Sequence, residues 1–266
     1  MGVIFTSSQF AQRLKFASKL SFIHLCISIF IALCMAALVF FVWYRTPYFY
    51  ILGGLHLFLM VSIIDVICGP LMTLILANPK KSKRETILDF SVIGIIQLSA
   101  LLYGMHTVYV ARPVYYAFDA DRFVTVTAAE LADIATPDDM AKAPKELQSL
   151  PKLGAKQITL YWDGKISDPD KIFIPMIARP EHWRVYDKAT ETAKVREKMK
   201  PVSELYTLSP NKNKKAIIDK AVAKTGISAD KLYFLPFTCD RNLDWSALLN
   251  EQGEIVGFVD ADGFGQ

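Results

Sequence analysis

Ser21 to Tyr44 is a run of 24 residues without one formally charged side chain. In lipid every backbone N–H and C=O must find its partner inside the protein, so a run of this kind has one fold open to it. It forms a helix of about 36 Å, enough to cross a hydrocarbon core of about 30 Å. Two further runs repeat the constraint. Pro47 to Ala77 is 31 residues with Asp65 as its single charge, and Leu88 to Val110 is 23 residues with Asp89 at its start. The three predict transmembrane helices over about 21–44, 52–77 and 88–110. A cleaved signal peptide does not account for the first, because the run is too long and no small residues mark a cleavage site after it. With 52% hydrophobic residues and a mean hydropathy of +0.27, disorder is excluded as well.

Charge supplies the orientation. Residues 1–110 carry eight basic and three acidic side chains, a net +5, whereas residues 111–266 carry 22 and 23, a net −1. The pI of about 8.7 therefore belongs to the apolar region and is not the footprint of a nucleic-acid binder. Arg13, Lys15 and Lys19 precede the first run, Lys80, Lys81, Lys83 and Arg84 fill the loop between the second and third, and the first loop has Arg45 alone. The positive-inside rule then places the tail 1–20 and the second loop in the cytoplasm. Three crossings put residues 111–266 on the far side, the periplasm of a Gram-negative cell.

The second run is longer than one perpendicular crossing needs. Tyr48, Phe49 and Tyr50 read as an interfacial aromatic belt, Gly53-Gly54 as the loosened start of the helix, and Gly69-Pro70 as a kink within it, since proline lacks the N–H that would bond the carbonyl of Val66. Asp65 is the most suggestive residue of the chain. A carboxylate within a span costs several kcal/mol unless paired or protonated. It serves either an internal hydrogen bond, to Gln97 or Ser99 of the third helix, or a polar group brought by the helix of a partner.

Residues 111–266 are long enough for one core, and no Gly/Ser-rich linker divides them. Val114–Phe118 and Phe123–Thr127 predict a hairpin turning through Asp119–Arg122. Thr127 and Thr136 read as helix caps, Gln157–Trp162 as a strand ended by Asp163-Gly164, and 180–199 and 210–225 as helices, the latter capped by Ser209 and stopped by Gly226. Lys231–Phe237, Asp244–Leu249 and Glu254–Asp260 read as three closing strands. The expected architecture is a membrane protein with three N-terminal transmembrane α-helices followed by an α+β periplasmic domain with a mostly antiparallel sheet.

Motifs of known chemistry are missing. H-E-x-x-H, C-x-x-C, G-x-S-x-G and the phosphate-binding G-x-x-x-x-G-K-[ST] do not occur, and the outer domain has one Cys and one His, too few for a zinc site. Asp163–Asp170 and Asp260–Gly263 read as turns rather than calcium loops, for want of the terminal Glu. No cofactor is expected. Cys239 reads as a buried thiol or as a residue held for an intermolecular bond.

In order along the chain, Phe41-Val42-Trp43-Tyr44, Gly53-Gly54, Asp65–Leu74 with its Gly69-Pro70, Gln97-Leu98, Tyr103-Gly104, Ala111–Tyr115 and Asp121-Arg122-Phe123 resemble the TfpX/TfpZ family of type IV pilin accessory proteins. Leu235-Pro236 and Gly253–Gly257 match more loosely. The resemblance spans roughly residues 21–126. It implies an inner-membrane protein, not an enzyme, that works with the major pilin and modulates its stability or assembly alongside other pilus assembly proteins; a chain of three spans with its own outer domain is then expected to contact pilin through both its membrane helix and its periplasmic head. Asp65, Gly69, Pro70, Gln97, Arg112, Asp121 and Arg122 are the candidate partner-binding residues, with Asp121-Arg122 equally readable as the closure of a hairpin turn. A membrane-bound enzyme modifying pilin or a lipid-linked sugar, with Asp65, Asp121 or Arg122 at its site, is the alternative. A sensor or transport subunit is disfavoured by the short cytoplasmic loop and the single buried charge.

Overall fold

A computed structural model describes residues 7–45, 47–162, 164, 173–209, 211–239 and 242–265. The chain divides into two units, 1–42 with 54–109 and 43–53 with 110–266.

The first unit is helical. Helix α1 (Ser7–Leu38) runs on through a π-helical turn, Val39–Trp43; α3 (Gly54–Leu76) and α4 (Lys83–Val110) complete it. All three are long and apolar enough to cross a membrane, over Phe10–Trp43, Gly54–Leu76 and Lys83–Val110. Each starts or ends away from the edge of its charge-free run, for local reasons. Arg13, Lys15 and Lys19 are good helix formers with no breaker among them, so the helix extends through the basic tail. Helix α4 begins at Lys83 because Ser82 and Glu85 form a capping box: the Ser82 hydroxyl accepts from the Glu85 N–H (3.3 Å) and the Glu85 carboxylate accepts from the Ser82 N–H (2.9 Å). One turn on, Asp89 pairs with Lys81. Pro70 lies inside α3. Phe22, Phe30, Leu33, Ile75 and Ile95 are all more than 60% exposed, an apolar surface of the kind that meets lipid or another protein.

The second unit is built on a seven-stranded sheet. Strand β1 (Pro113–Asp119) and β2 (Arg122–Thr127) form the expected hairpin, with Ala120 in the left-handed region at its tip (φ 55°). The core path of the sheet is β3-β1-β2-β7-β8-β9, where β3 is Lys156–Gln157, β7 Tyr233–Cys239, β8 Asn242–Leu249 and β9 Ile255–Val259; β6 (Lys200–Pro201) also pairs with β7. The anticipated mostly antiparallel sheet gives way to a mixed one. Its hairpins are antiparallel, but β2 runs parallel to β7 and β1 parallel to β3. Long connections join those parallel neighbours, and such pairings leave no turn signal in the sequence.

The single strand anticipated over Gln157–Trp162 is split. Lys156–Gln157 joins the main sheet, and β4 (Thr159–Leu160) pairs instead with β5 (Trp183–Arg184). Trp183 is completely buried and donates to the Ile177 carbonyl (2.9 Å), so the helix anticipated from 180 starts only after it, as α7 (Lys188–Lys198) capped by Asp187. Thr127 caps α5 (Ala128–Ile134) and Thr136 caps α6 (Pro137–Ala141), each with a reciprocal bond from the third helical residue. Helix α8 (Val202–Leu208) precedes α9 (Lys212–Thr225), which is capped by Asn211 and stopped by Gly226 at φ 68°. The turn assigned to Asp163–Asp170 and the helix start at Pro210 lie outside the described residues, apart from Gly164.

One short element connects to the sheet from upstream. Helix α2 (Tyr48–Ile51) belongs to this second unit, and Tyr48 is buried with its ring 6.1 Å from Tyr116 and 6.0 Å from Phe237. Tyr50 stacks on Trp245 at 6.2 Å. These two tyrosines therefore pack on a sheet, where the sequence alone suggested an interfacial belt. The Cys239 thiol is buried, its Sγ 3.7 Å from the Ile51 carbonyl.

Candidate functional site

Several small and polar residues of the helical unit recur at helical spacing. On α1, Arg13, Ala17, Ser21, His24 and Ser28 recur at spacings of three and four, and so share one face. On α3, Asp65, Gly69 and Thr73 do the same. These two faces meet. The Ser21 hydroxyl donates to the Pro70 carbonyl (2.8 Å), His24 Nδ1 and the Thr73 hydroxyl share a bond of 2.6 Å, and the Arg13 guanidinium donates to the Ile75 carbonyl (2.8 Å). Thr73 is fully buried, as are Ala17 and Ser28 almost completely. A seam of hydrogen bonds thus joins these two apolar helices.

Helix α4 meets α3 at two glycines. Gln97 lies against Gly69, where a Cβ would stand 2.0 Å from its Nε2, and Val61 lies against Gly104, where a Cβ would stand 2.2 Å from its Cγ1. Gly69 is what admits Gln97, whose amide donates to the Asp65 carbonyl (3.2 Å) and also reaches the Asp65 side chain, with His24 facing the same carboxyl group. Of the two partners anticipated for Asp65, the structure brings Gln97; Ser99 is exposed on α4. Asp65, Gly69, Pro70 and Gln97 accordingly form one cluster, completed by Ser21, His24 and Thr73, which motif reasoning passed over. The signal that could have found them was the three-and-four spacing on α1.

The other candidates occupy the second unit and do separate work. Arg112 is buried and donates from Nε (3.3 Å) and Nη2 (3.1 Å) to the Pro151 carbonyl, pinning a loop to the start of β1. Asp121 and Arg122, adjacent at the hairpin tip, form an exposed ion pair (2.7 Å), and the Arg122 guanidinium also lies 4.5 Å over the ring of Phe264. Beside the pair, burial holds the Asp119 carboxyl above the usual range, partly opposed by Arg122. Tyr115 is pushed up to about 12 by burial while its hydroxyl donates to the Leu147 carbonyl (3.1 Å). Among the described residues no three His, Cys, Asp or Glu side chains gather as a metal would require.

Three helices long and apolar enough to cross a membrane, two of them joined by a polar seam, precede a mixed α+β unit, an arrangement compatible with a membrane-anchored protein. Comparison with known proteins makes this specific. The family described as "Fimbrial assembly protein FimB" matches residues 12–53. Over 259 residues, 95% of this chain and 98% of the relative, the sequence is 35% identical to "Fimbrial assembly protein, serogroup E1" of Dichelobacter nodosus, and it is 34% identical to the serogroup I protein of the same organism over the same shares. The protein of serogroups C1 and C2 is 53% identical over 110 residues, 41% of this chain and 84% of that one. The chain belongs to this family of fimbrial assembly proteins. No solved structure matches it significantly.

Proposed function

We propose that this protein serves fimbrial assembly as an inner-membrane accessory protein of type IV pili, of the TfpX/TfpZ kind, binding the major pilin and modulating its stability or assembly rather than catalysing a reaction. The observation that carries the reading is similarity to fimbrial assembly proteins along almost the entire chain. The polar seam supports the intramembrane half of it. Asp65 is half-buried, not enclosed, and the neighbouring Ile64, Ile67 and Leu71 are each at least half exposed on α3. An apolar helix from a partner can pack there and offer a polar group to the same cluster. In this reading the basic tail and second loop are cytoplasmic, and residues 111–266 meet the pilin head in the periplasm.

Deletion of the gene tests the proposal. Pilin abundance or surface piliation should change while the mass of mature pilin stays constant; a changed pilin mass would favour a modifying enzyme. Photocrosslinkers at positions 67 and 71 should capture pilin. Unaltered piliation in both Asp65→Asn and Pro70→Ala would remove the intramembrane contact from the proposal.

A further inference from the structure

The second unit carries a cavity of about 470 Å³ whose lining includes Pro47, Tyr50, Lys220, Lys224, Trp245 and Asp260. Lys220 and Lys224 are one helical turn apart on α9 and exposed. Among the described residues neither has a carboxylate partner, whereas Asp260 is already committed to Lys214, at 2.6 Å. The cavity is therefore cationic. Its other wall is the stacked pair of Tyr50, 56% exposed, and Trp245.

Chain connectivity fixes what lies near it. Pro47 is four residues after Trp43, where the first apolar helix ends, and Tyr50 is four residues before Gly54, where the second begins. Four residues of fully extended chain span at most about 14 Å. Pro47 and Tyr50 are thus tied by a few residues of chain to the two apolar helices, and the cavity they line has the composition of a headgroup site, with two lysines as cations for a phosphate and a Tyr–Trp pair of amphipathic rings for the interface.

We infer that this cavity binds the phosphodiester headgroup of an anionic phospholipid. The inference rests on the membrane reading given above and adds a ligand class to it.

Full-length protein purified in a neutral detergent, titrated with phosphatidylglycerol or phosphatidylcholine and read by native mass spectrometry, tests it. The wild type should retain phosphatidylglycerol in preference to phosphatidylcholine. Lys220→Glu combined with Lys224→Glu should weaken phosphatidylglycerol retention by about thirtyfold, the attraction of two basic side chains to an anionic surface. Lys212→Glu with Lys215→Glu, on the same helix outside the cavity, should change it little. Equal retention of both lipids in a protein that fractionates with membranes overturns the inference and leaves the membrane reading standing; recovery of the chain in the soluble fraction overturns both. If the Lys220/Lys224 variant keeps its lipid preference but loses crosslinking to pilin, the cavity takes an acidic protein segment, and the lipid assignment is wrong.

Discussion

Gly69 and Gly104 separate two ways in which a glycine can matter between helices. At Gly69 an added methyl would stand 2.0, 2.4 and 2.6 Å from Nε2, Cδ and Oε1 of Gln97, whereas at Gly104 it would stand 2.2, 3.1 and 3.2 Å from Cγ1, Cγ2 and Cβ of Val61. Ordinary contact needs about 3.5 Å, so both neighbours must retreat by over an ångström. Gln97 can do so, because the clash is with the end of a flexible side chain, and the cost is its bond to the Asp65 carbonyl. Interhelical hydrogen bonds in membranes are worth about 0.6 kcal/mol on average and about 1.7 at most, so Gly69→Ala should cost about 1 kcal/mol. Val61 has no such freedom, since its clash reaches the Cβ and its χ1 is stiff; Gly104→Ala should cost about 1–3 kcal/mol as overpacking. Any gain in helix propensity is common to the two and cancels in the comparison. A double-mutant cycle distinguishes the mechanisms. In a Gln97→Ala background, Gly69→Ala should become nearly neutral, while Gly104→Ala should keep its full cost; Val61→Ala should relieve only Gly104→Ala. Reversible SDS unfolding in mixed micelles, followed by circular dichroism, supplies the free energies. Equal costs for Gly69→Ala with and without Gln97 would refute the packing assigned to α3 and α4.

Trp183→Ala should destabilise the second unit by about 3–5 kcal/mol, since it empties a fully buried site and orphans the Ile177 carbonyl, and thermal unfolding of the full chain measures it. Thr127→Ala removes the hydroxyl that accepts from the Glu130 N–H, while the backbone N–H of residue 127 keeps its bond to the Glu130 carboxylate, and should cost about 1 kcal/mol in the same assay. Asp121→Ala breaks an exposed pair and should shift stability by less than about 1 kcal/mol, so a larger loss would show that the hairpin tip does more than close a turn. Glu191 is buried, which raises its carboxyl above the usual range despite Lys194 at 3.1 Å. Its protonated form is the one the fold prefers, so its contribution is present at low pH and lost as pH rises through the raised value. The melting temperature of Glu191→Gln should therefore exceed that of the wild type by a margin that widens from about pH 4 to about pH 8, and a constant margin would refute the assignment.

What the sequence made legible is what one segment determines by itself. The three apolar helices, the β1–β2 hairpin, the Thr127 and Thr136 caps and the Gly226 stop all follow from residues within a few positions of one another. The pairings that stayed hidden join distant segments. Phe123 lies beside Phe237 in the parallel β2–β7 pairing, and neither residue carries any mark of the other. The helix anticipated from 180 was lost to Trp183, whose indole has a deep site to fill, so burial outweighed a helical pattern of charges. At the candidate site, Asp65 and Gly69-Pro70 drew attention as exceptions within an apolar run. Ser21, His24 and Thr73 did not, because single polar residues are unremarkable until the facing helix supplies their partners.

The loop between the first two apolar helices shows why reading by segment fails where it does. Trp43 to Gly53 is eleven residues, and its aromatic content beside two spans suggests an interface belt. Yet Tyr48 is only 7% exposed, set between Tyr116 of β1 and Phe237 of β7. Burial of one such ring stabilises by about 1.5–3 kcal/mol, a large part of what holds a domain folded. The second unit is therefore discontinuous in sequence: part of its core is encoded before α3 and α4, and the rest after them. A fragment beginning at residue 111 would leave the faces of Tyr116 and Phe237 without that ring. A ring encoded upstream of α3 is thus part of what stabilises the sheet encoded downstream of α4.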